Sequence, residues 1–280
     1  MINTIRKAFF NSTRSLEILY LLEGIKNAVR LDANENEIAA IGEFCKNNGI
    51  FMEMSDFKIS KKTDEGKGEY SNIARRIPTD YPGHGLYHIY LSKDSGRAKL
   101  LKILENKNDD RAVGEILGYP KCCIDFFMEN REKQQKMQND FILPALENSE
   151  GFEFPFYTNH AIRYFDITLL SHFPHDFNCM ESISIAKKNL EAIRKHYPEL
   201  ADKFESMLKS AVLYTEKEGI FIFLGHKFKD GKLSYGDVIS TANNELLAKL
   251  KENNRIEIIN KSKIKVNETV LEDAGFMIFT

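Results

Sequence analysis

The chain contains no tryptophan, four cysteines and seven prolines in 280 residues. Four cysteines do not make the disulfide framework of a small secreted domain, and neighbouring cysteines form only a strained bridge. Long apolar runs are also missing. The stretch GIFIFLG (Gly219 to Gly225) is among the longest; it is strand-sized, well short of the ~18 residues that cross a bilayer. The N-terminal MINTIRKAFFNSTRS is basic but has no continuous apolar core or small-residue cleavage site, so a cytoplasmic protein with no membrane partner is expected. Charge of one sign is lacking too. The net charge of −2 gives no general attraction to nucleic acid. Lys227, Lys229 and Lys232 are balanced by acidic neighbours, and no aromatic–basic recognition motif appears. A small molecule or a protein remains as the partner class.

What is present is bulk for a core: twenty phenylalanines, eleven tyrosines and 42% hydrophobic residues. The patterning predicts an α+β fold. Residues 1–31 have helix-like apolar spacing through Leu16, Ile18, Leu19, Leu22, Ile25 and Val29. A second helix should start at Asn34, with Glu37 completing a capping box, and stop at Asn47-Asn48-Gly49. Ile50 to Ile59 and Gly85 to Asp94 alternate as strands, and the second is apolar on both faces, as inside a sheet. Lys61 to Gly83 reads as a polar loop. Helices are expected over Ser95 to Glu105, Arg111 to Leu117, Pro120 to about Asn139, Ala161 to Leu170 and Asn178 to His196. After residue 205 the texture becomes strand-rich, with a hairpin turn at Lys229-Asp230-Gly231-Lys232. The expected division is a mainly helical α+β core domain, 1–205, and a small strand-rich α+β domain, 206–280.

The chemistry concentrates in two segments. In LGYPKCCIDFF, Pro120 is suited to the first position of a helix. Cys122 and Cys123 then fall in its first turn, where the amides and the dipole favour thiolate. In SHFPHDFNCMES, Asn178 and Glu181 read as a capping box with Cys179 opening a helix, and His172 and His175 lie on the turn before it. Thiolate and imidazole together suit zinc, iron or an iron–sulfur cluster. Neighbouring helical residues point about 100° apart, so the expectation is that one of Cys122 and Cys123 is a ligand and the other packs. Cys45, His88 and His196 are read as structural, His196 as a helix-terminal cap. Between the segments, Asn159, His160 and Arg163 are candidates to bind a carboxylate or phosphate beside the thiols, with Tyr119; a surface helix with an ordinary salt bridge is the plainer alternative.

These segments resemble a family of proteins that is a domain of unknown function. Its signature is a Leu-Gly-Tyr-Pro-x-Cys-Cys-x-x-Phe block followed by a His-x-Pro-x4-Cys block. The resemblance runs from about Tyr87 to Lys188. It singles out Gly118, Tyr119, Pro120, Cys122, Cys123, Phe126, His172, Pro174, Cys179 and Ser182. His175 stands where the family often has a further cysteine, a swap of one soft ligand for another. The resemblance implies no reaction, substrate or cofactor. Three functions are therefore carried forward in order: a zinc or iron protein, with or without enzymatic activity; a metal-free thiol enzyme using Cys122 or Cys123 with a histidine base; and a non-enzymatic protein-binding module.

Overall fold

The computed structural model describes residues 5, 9, 12–61, 73–135, 140–272 and 274–280. The expected loop over Lys61 to Gly83 and the end of the helix toward Asn139 lie partly outside them. The fold is mixed α+β, with three sheets. None of the described helices is long and apolar enough to cross a membrane. The chain divides into two compact units.

The first unit takes the described residues up to 61 together with Ile73–Asn130 and Lys188–Pro198. Helix α1 (Ser12–Leu22) leads into strand β1 (Ala28–Ala33), helix α2 (Glu35–Asn47) and strand β2 (Phe51–Lys61). Val29, expected on a helix, is therefore on a strand: Gly24 takes φ +74 and ends the helical run. The capping box of α2 is present in both directions, Asn34 accepting from the Glu37 amide and Glu37 from the Asn34 amide. Strands β3 (Ala74–Ile77) and β4 (Leu86–Ser92) complete an antiparallel sheet in the order β1-β4-β2-β3. The doubly apolar β4 is thus an interior strand, as its sequence suggests. One face buries Val29, Leu31, Ile89 and Leu91 against Ile18 and Leu21 of α1 and Ile41, Phe44 and Cys45 of α2. The other face sets Ala28 and Tyr90 against Leu101 of α3 (Ser95–Asn106) and Val113 of α4 (Asp110–Ile116). Helix α5 (Lys121–Gln135) follows.

The described residues of the second unit are Arg131–Lys187 and Glu199–Thr280. Helix α6 (Ile142–Asn148), strand β5 (Glu153–Phe154) and two short 3-10 turns (Phe156–Thr158 and Ala161–Phe165) precede α7 (Met180–His196). The predicted Ala161 to Leu170 helix is cut to one 3-10 turn because Asp166 adopts a left-handed conformation, φ +59. Pro198 begins α8 (Pro198–Leu208), the position where a missing amide costs nothing.

Strands β6 (Ala211–Thr215), β7 (Gly219–Leu224), β8 (Lys227–Lys229), β9 (Lys232–Ser234) and β10 (Asp237–Ser240) precede helix α9 (Glu245–Glu252). Strands β11 (Arg255–Asn260), β12 (Lys263–Val266), β13 (Thr269–Leu271) and β14 (Ala274–Phe279) follow it. With β5 they form two five-stranded sheets, β10-β7-β6-β14-β5 and β13-β12-β11-β9-β8. The β8–β9 hairpin turns at Asp230 (φ +50) and Gly231 (φ +73), the two positive angles that a two-residue hairpin demands. Phe221, Phe223, Leu233, Leu250, Ile264 and Phe276 belong to the core shared by both sheets and α9. The chain's last strand, β14, also pairs in parallel with β5.

Candidate metal centre

The thiol pair is placed by a stop and a restart. At the end of α4, Gly118 is left-handed (φ +78). The Tyr119 amide donates to the Gly114 carbonyl and the Gly118 amide to the Glu115 carbonyl, the double bond pattern of a Schellman motif. Pro120 then turns the chain into α5: its carbonyl accepts from the amides of both Cys123 and Ile124 at 3.0 Å. The helix proper begins at Lys121, one residue after the position expected for it. Both cysteines are in its first turn. Asp125 accepts from Lys121 at 2.6 Å and also from Arg111 of α4, fastening the two helices together. The Lys121 ammonium is engaged by that carboxylate.

The second segment is held by its backbone. The Phe177 ring is fully buried and packs against Phe154 and Phe279 at centroid distances of 5.1 and 5.5 Å. Its amide donates to the Ser149 hydroxyl at 2.9 Å, and its carbonyl accepts from the Thr158 hydroxyl at 2.6 Å. Asn148 donates to the His175 carbonyl at 3.1 Å. The Asp176 carboxylate accepts from the Asn178 amide and its carbonyl from the Cys179 amide. The Cys179 carbonyl receives the Ile183 amide at 2.9 Å, so Cys179 is the capping residue of α7 and Met180 the first helical one.

Cys122, Cys123, His175 and Cys179 each offer one ligand atom, and these four atoms all lie within 4.8 Å of one another. Cys123 and Cys179 are buried, while Cys122 and His175 are half-buried. Both members of the adjacent pair take part, against the expectation of one. Their sulfurs are 4.0 Å apart. In a first turn no preceding turn crowds the side chains, so two χ1 rotations can overcome the 100° offset of the Cβ atoms.

The other candidates engage partners within the fold. His172 is buried, with Nε2 at 2.9 Å from the Ser182 hydroxyl, and is not a member of the group of four. Asn159 donates to the Leu208 carbonyl at 2.8 Å and is buried. His160 Nε2 accepts from Arg163 at 3.0 Å; because guanidinium only donates, the imidazole carries its proton on Nδ1, toward the Thr168 hydroxyl at 3.4 Å. Arg163 also lies over the Phe173 ring at 4.9 Å. Asn159, His160 and Arg163 thus spend these bonds within the unit. Tyr119 packs against the Ala28, Tyr90 and Leu101 cluster. Cys45 is in the core, and burial pushes its thiol up to about 12. His88 Nδ1 donates to Asp32 at 2.8 Å, and His196, at the C-terminus of α7, meets Glu23 at 2.7 Å.

Burial, then the charge of Arg163 and the neighbouring His172, holds His160 well below the ordinary imidazole range. The unfolded chain takes up a proton below about pH 6.5 that folded His160 refuses. Stability from this residue is therefore present above that pH and lost on acidification. The unfolding midpoint should fall between pH 7 and 5, and His160→Gln should flatten that slope. An unchanged slope in the variant would remove His160 as its source. Asp140 acts oppositely: burial raises its carboxyl, despite the Tyr164 hydroxyl and Ile142 amide it accepts from, so its contribution is lost as the pH rises.

No family model matches the chain, nor does any curated protein or solved structure.

Proposed function

We propose that Cys122, Cys123, His175 and Cys179 bind a single zinc ion in a closed, tetrahedral site. The observation that carries this is the mutual proximity of the four ligand atoms, all within 4.8 Å. A tetrahedral zinc ion with Zn–S near 2.3 Å and Zn–N near 2.0 Å separates its ligand atoms by roughly 3.5–3.8 Å. The 4.0 Å between the adjacent sulfurs is close to that edge. An iron–sulfur cubane spreads its cysteine sulfurs roughly 6 Å apart, because each ligates a different iron. The compactness therefore favours one ion over a cluster, and three thiolates with one imidazole favour zinc over iron or magnesium. Four protein ligands leave no open position, so the site supports structure rather than activating water. His172, bonded to Ser182 one turn along α7 from Cys179, supports the helix that presents the ligand.

Elemental analysis with an absorption spectrum, on protein prepared anaerobically without chelator, tests this. The expected result is one zinc per chain and no visible absorption. A visible iron–sulfur spectrum would replace the mononuclear reading with a cluster. Absence of any stoichiometric metal would end the metal reading and favour thiol chemistry at Cys122 or Cys123, for which one cysteine should then alkylate unusually fast.

A further inference from the structure

A second site is built on the sheet of the first unit. Arg30 on β1 and Tyr90 on β4 are directly paired in register. Arg76 on β3 reaches the same face from the far edge. Glu105, near the end of α3, sits between the two arginines. Arg30 Nη1 donates to Glu105 Oε2 at 2.7 Å. Arg76 Nη2 donates to the Glu105 carbonyl at 2.7 Å and to Oε1 at 3.3 Å. Arg76 is further fixed over the Phe57 ring at 4.2 Å. Two guanidiniums therefore share one carboxylate, and one positive charge of the trio is unbalanced. Their side chains remain 34% and 36% exposed, while Glu105 is at 6%.

Tyr90, paired with Arg30 across β1 and β4, points to the same face of the sheet as that arginine. Tyr90 is fully buried, and its oxygen has no hydrogen-bond partner among the described residues. After burial itself, the charges that act on this phenol are Glu105, Arg30, Arg76 and Asp56. Asp56 is taken up by Lys102 and Asn106. Asp32, on the same strand as Arg30, is taken up by His88 and Lys61. An orphaned buried hydroxyl costs about 1–3 kcal/mol and calls for an explanation. A structural ion triad explains Glu105; it explains neither the orphan donor nor the surplus charge.

We infer that Arg30, Arg76 and Tyr90 form a binding site for the carboxylate of a small molecule. A carboxylate matches the guanidinium fork, balances the single surplus charge as a monoanion, and accepts the proton that the Tyr90 hydroxyl has nowhere to place. None of the three residues belongs to the candidate metal ligands, so this inference stands whether or not the chain holds zinc.

The test is thermal unfolding of the full chain titrated with sodium acetate and sodium benzoate, with sodium chloride at matched ionic strength and inorganic phosphate as separate arms. The carboxylates should raise the midpoint saturably, beyond the chloride arm. Tyr90→Phe should fold at least as stably as the parent, since it deletes an orphan group, and bind carboxylate about tenfold more weakly, as loss of one hydrogen bond to a charged group implies. Arg76→Gln should weaken binding by at least as much. Carboxylate shifts no greater than chloride, or undiminished shifts in Tyr90→Phe, overturn the proposal. A saturable response to phosphate without one to carboxylate overturns the ligand class.

Discussion

If the four ligands hold zinc as proposed, serine in place of Cys179 should cost the chain that ion and lower its thermal midpoint by about 10 °C. The magnitude follows from linkage. A metal bound at a thousandfold excess over its dissociation constant stabilises the folded state by about 4 kcal/mol. For chains of this size each kcal/mol moves the midpoint by about 2–4 °C. Cys179 is only 6% exposed, so serine also buries a hydroxyl, and that cost must be separated from the metal's. The separation is a cycle of four measurements: parent and variant, each with and without prolonged chelation. If the metal is responsible, chelation destabilises the parent and leaves Cys179→Ser unchanged, because the site is already empty. Cys45→Ser is the control, being a buried thiol outside the group; it should cost packing energy but keep its zinc and its response to chelator. Equal responses to chelator in parent and Cys179→Ser would remove Cys179 from the ligand set.

Local signals were the legible ones. The capping box at Asn34 and Glu37 and the left-handed turn at Asp230-Gly231 each depend on a few adjacent residues, and each is found. The same holds for the position of Cys122 and Cys123, since Gly-Tyr-Pro both ends α4 and starts α5. Directions were harder to read. His172 and His175 are three residues apart in an irregular turn, where sequence spacing does not fix where a ring points; His175 joins the thiols and His172 turns to Ser182. Ideal helical angles turn the two adjacent cysteines apart, and side-chain rotation at a helix start overrides that offset. The wedge that holds the second segment, Phe177 between Phe154 and Phe279, rests on a parallel pairing of β5 with β14. That pairing joins residues more than a hundred positions apart, and no local pattern announces it. The Arg30–Glu105–Arg76 trio was invisible for the same reason, as were the Tyr90 hydroxyl and its lack of a partner.

That trio supplies the other large expected effect. Glu105→Gln should destabilise the protein by about 2–3 kcal/mol in urea unfolding. The substitution keeps the size and removes the charge, leaving Arg30 and Arg76 against a neutral amide. Breaking a fully buried ion network costs about 3–5 kcal/mol; here each arginine keeps about a third of its side chain in water, which screens part of the loss. The pH dependence has a definite sign. Burial alone would raise the Glu105 carboxyl, but Arg30, by charge and hydrogen bond, and then His88 and Arg76 hold it below the ordinary glutamate range. Its contribution is therefore complete above about pH 4.5 and is lost as the pH falls through the folded-state value. The parent should lose this increment in acid, while Glu105→Gln shows no such step. A variant within 0.5 kcal/mol of the parent would mean that the guanidiniums simply turn to solvent. Carboxylate binding should move the other way, because Glu105→Gln leaves two unbalanced positive charges where there was one. A variant that is less stable yet binds acetate more tightly is what distinguishes an anion site held partly filled by its own glutamate from a triad that serves the fold alone.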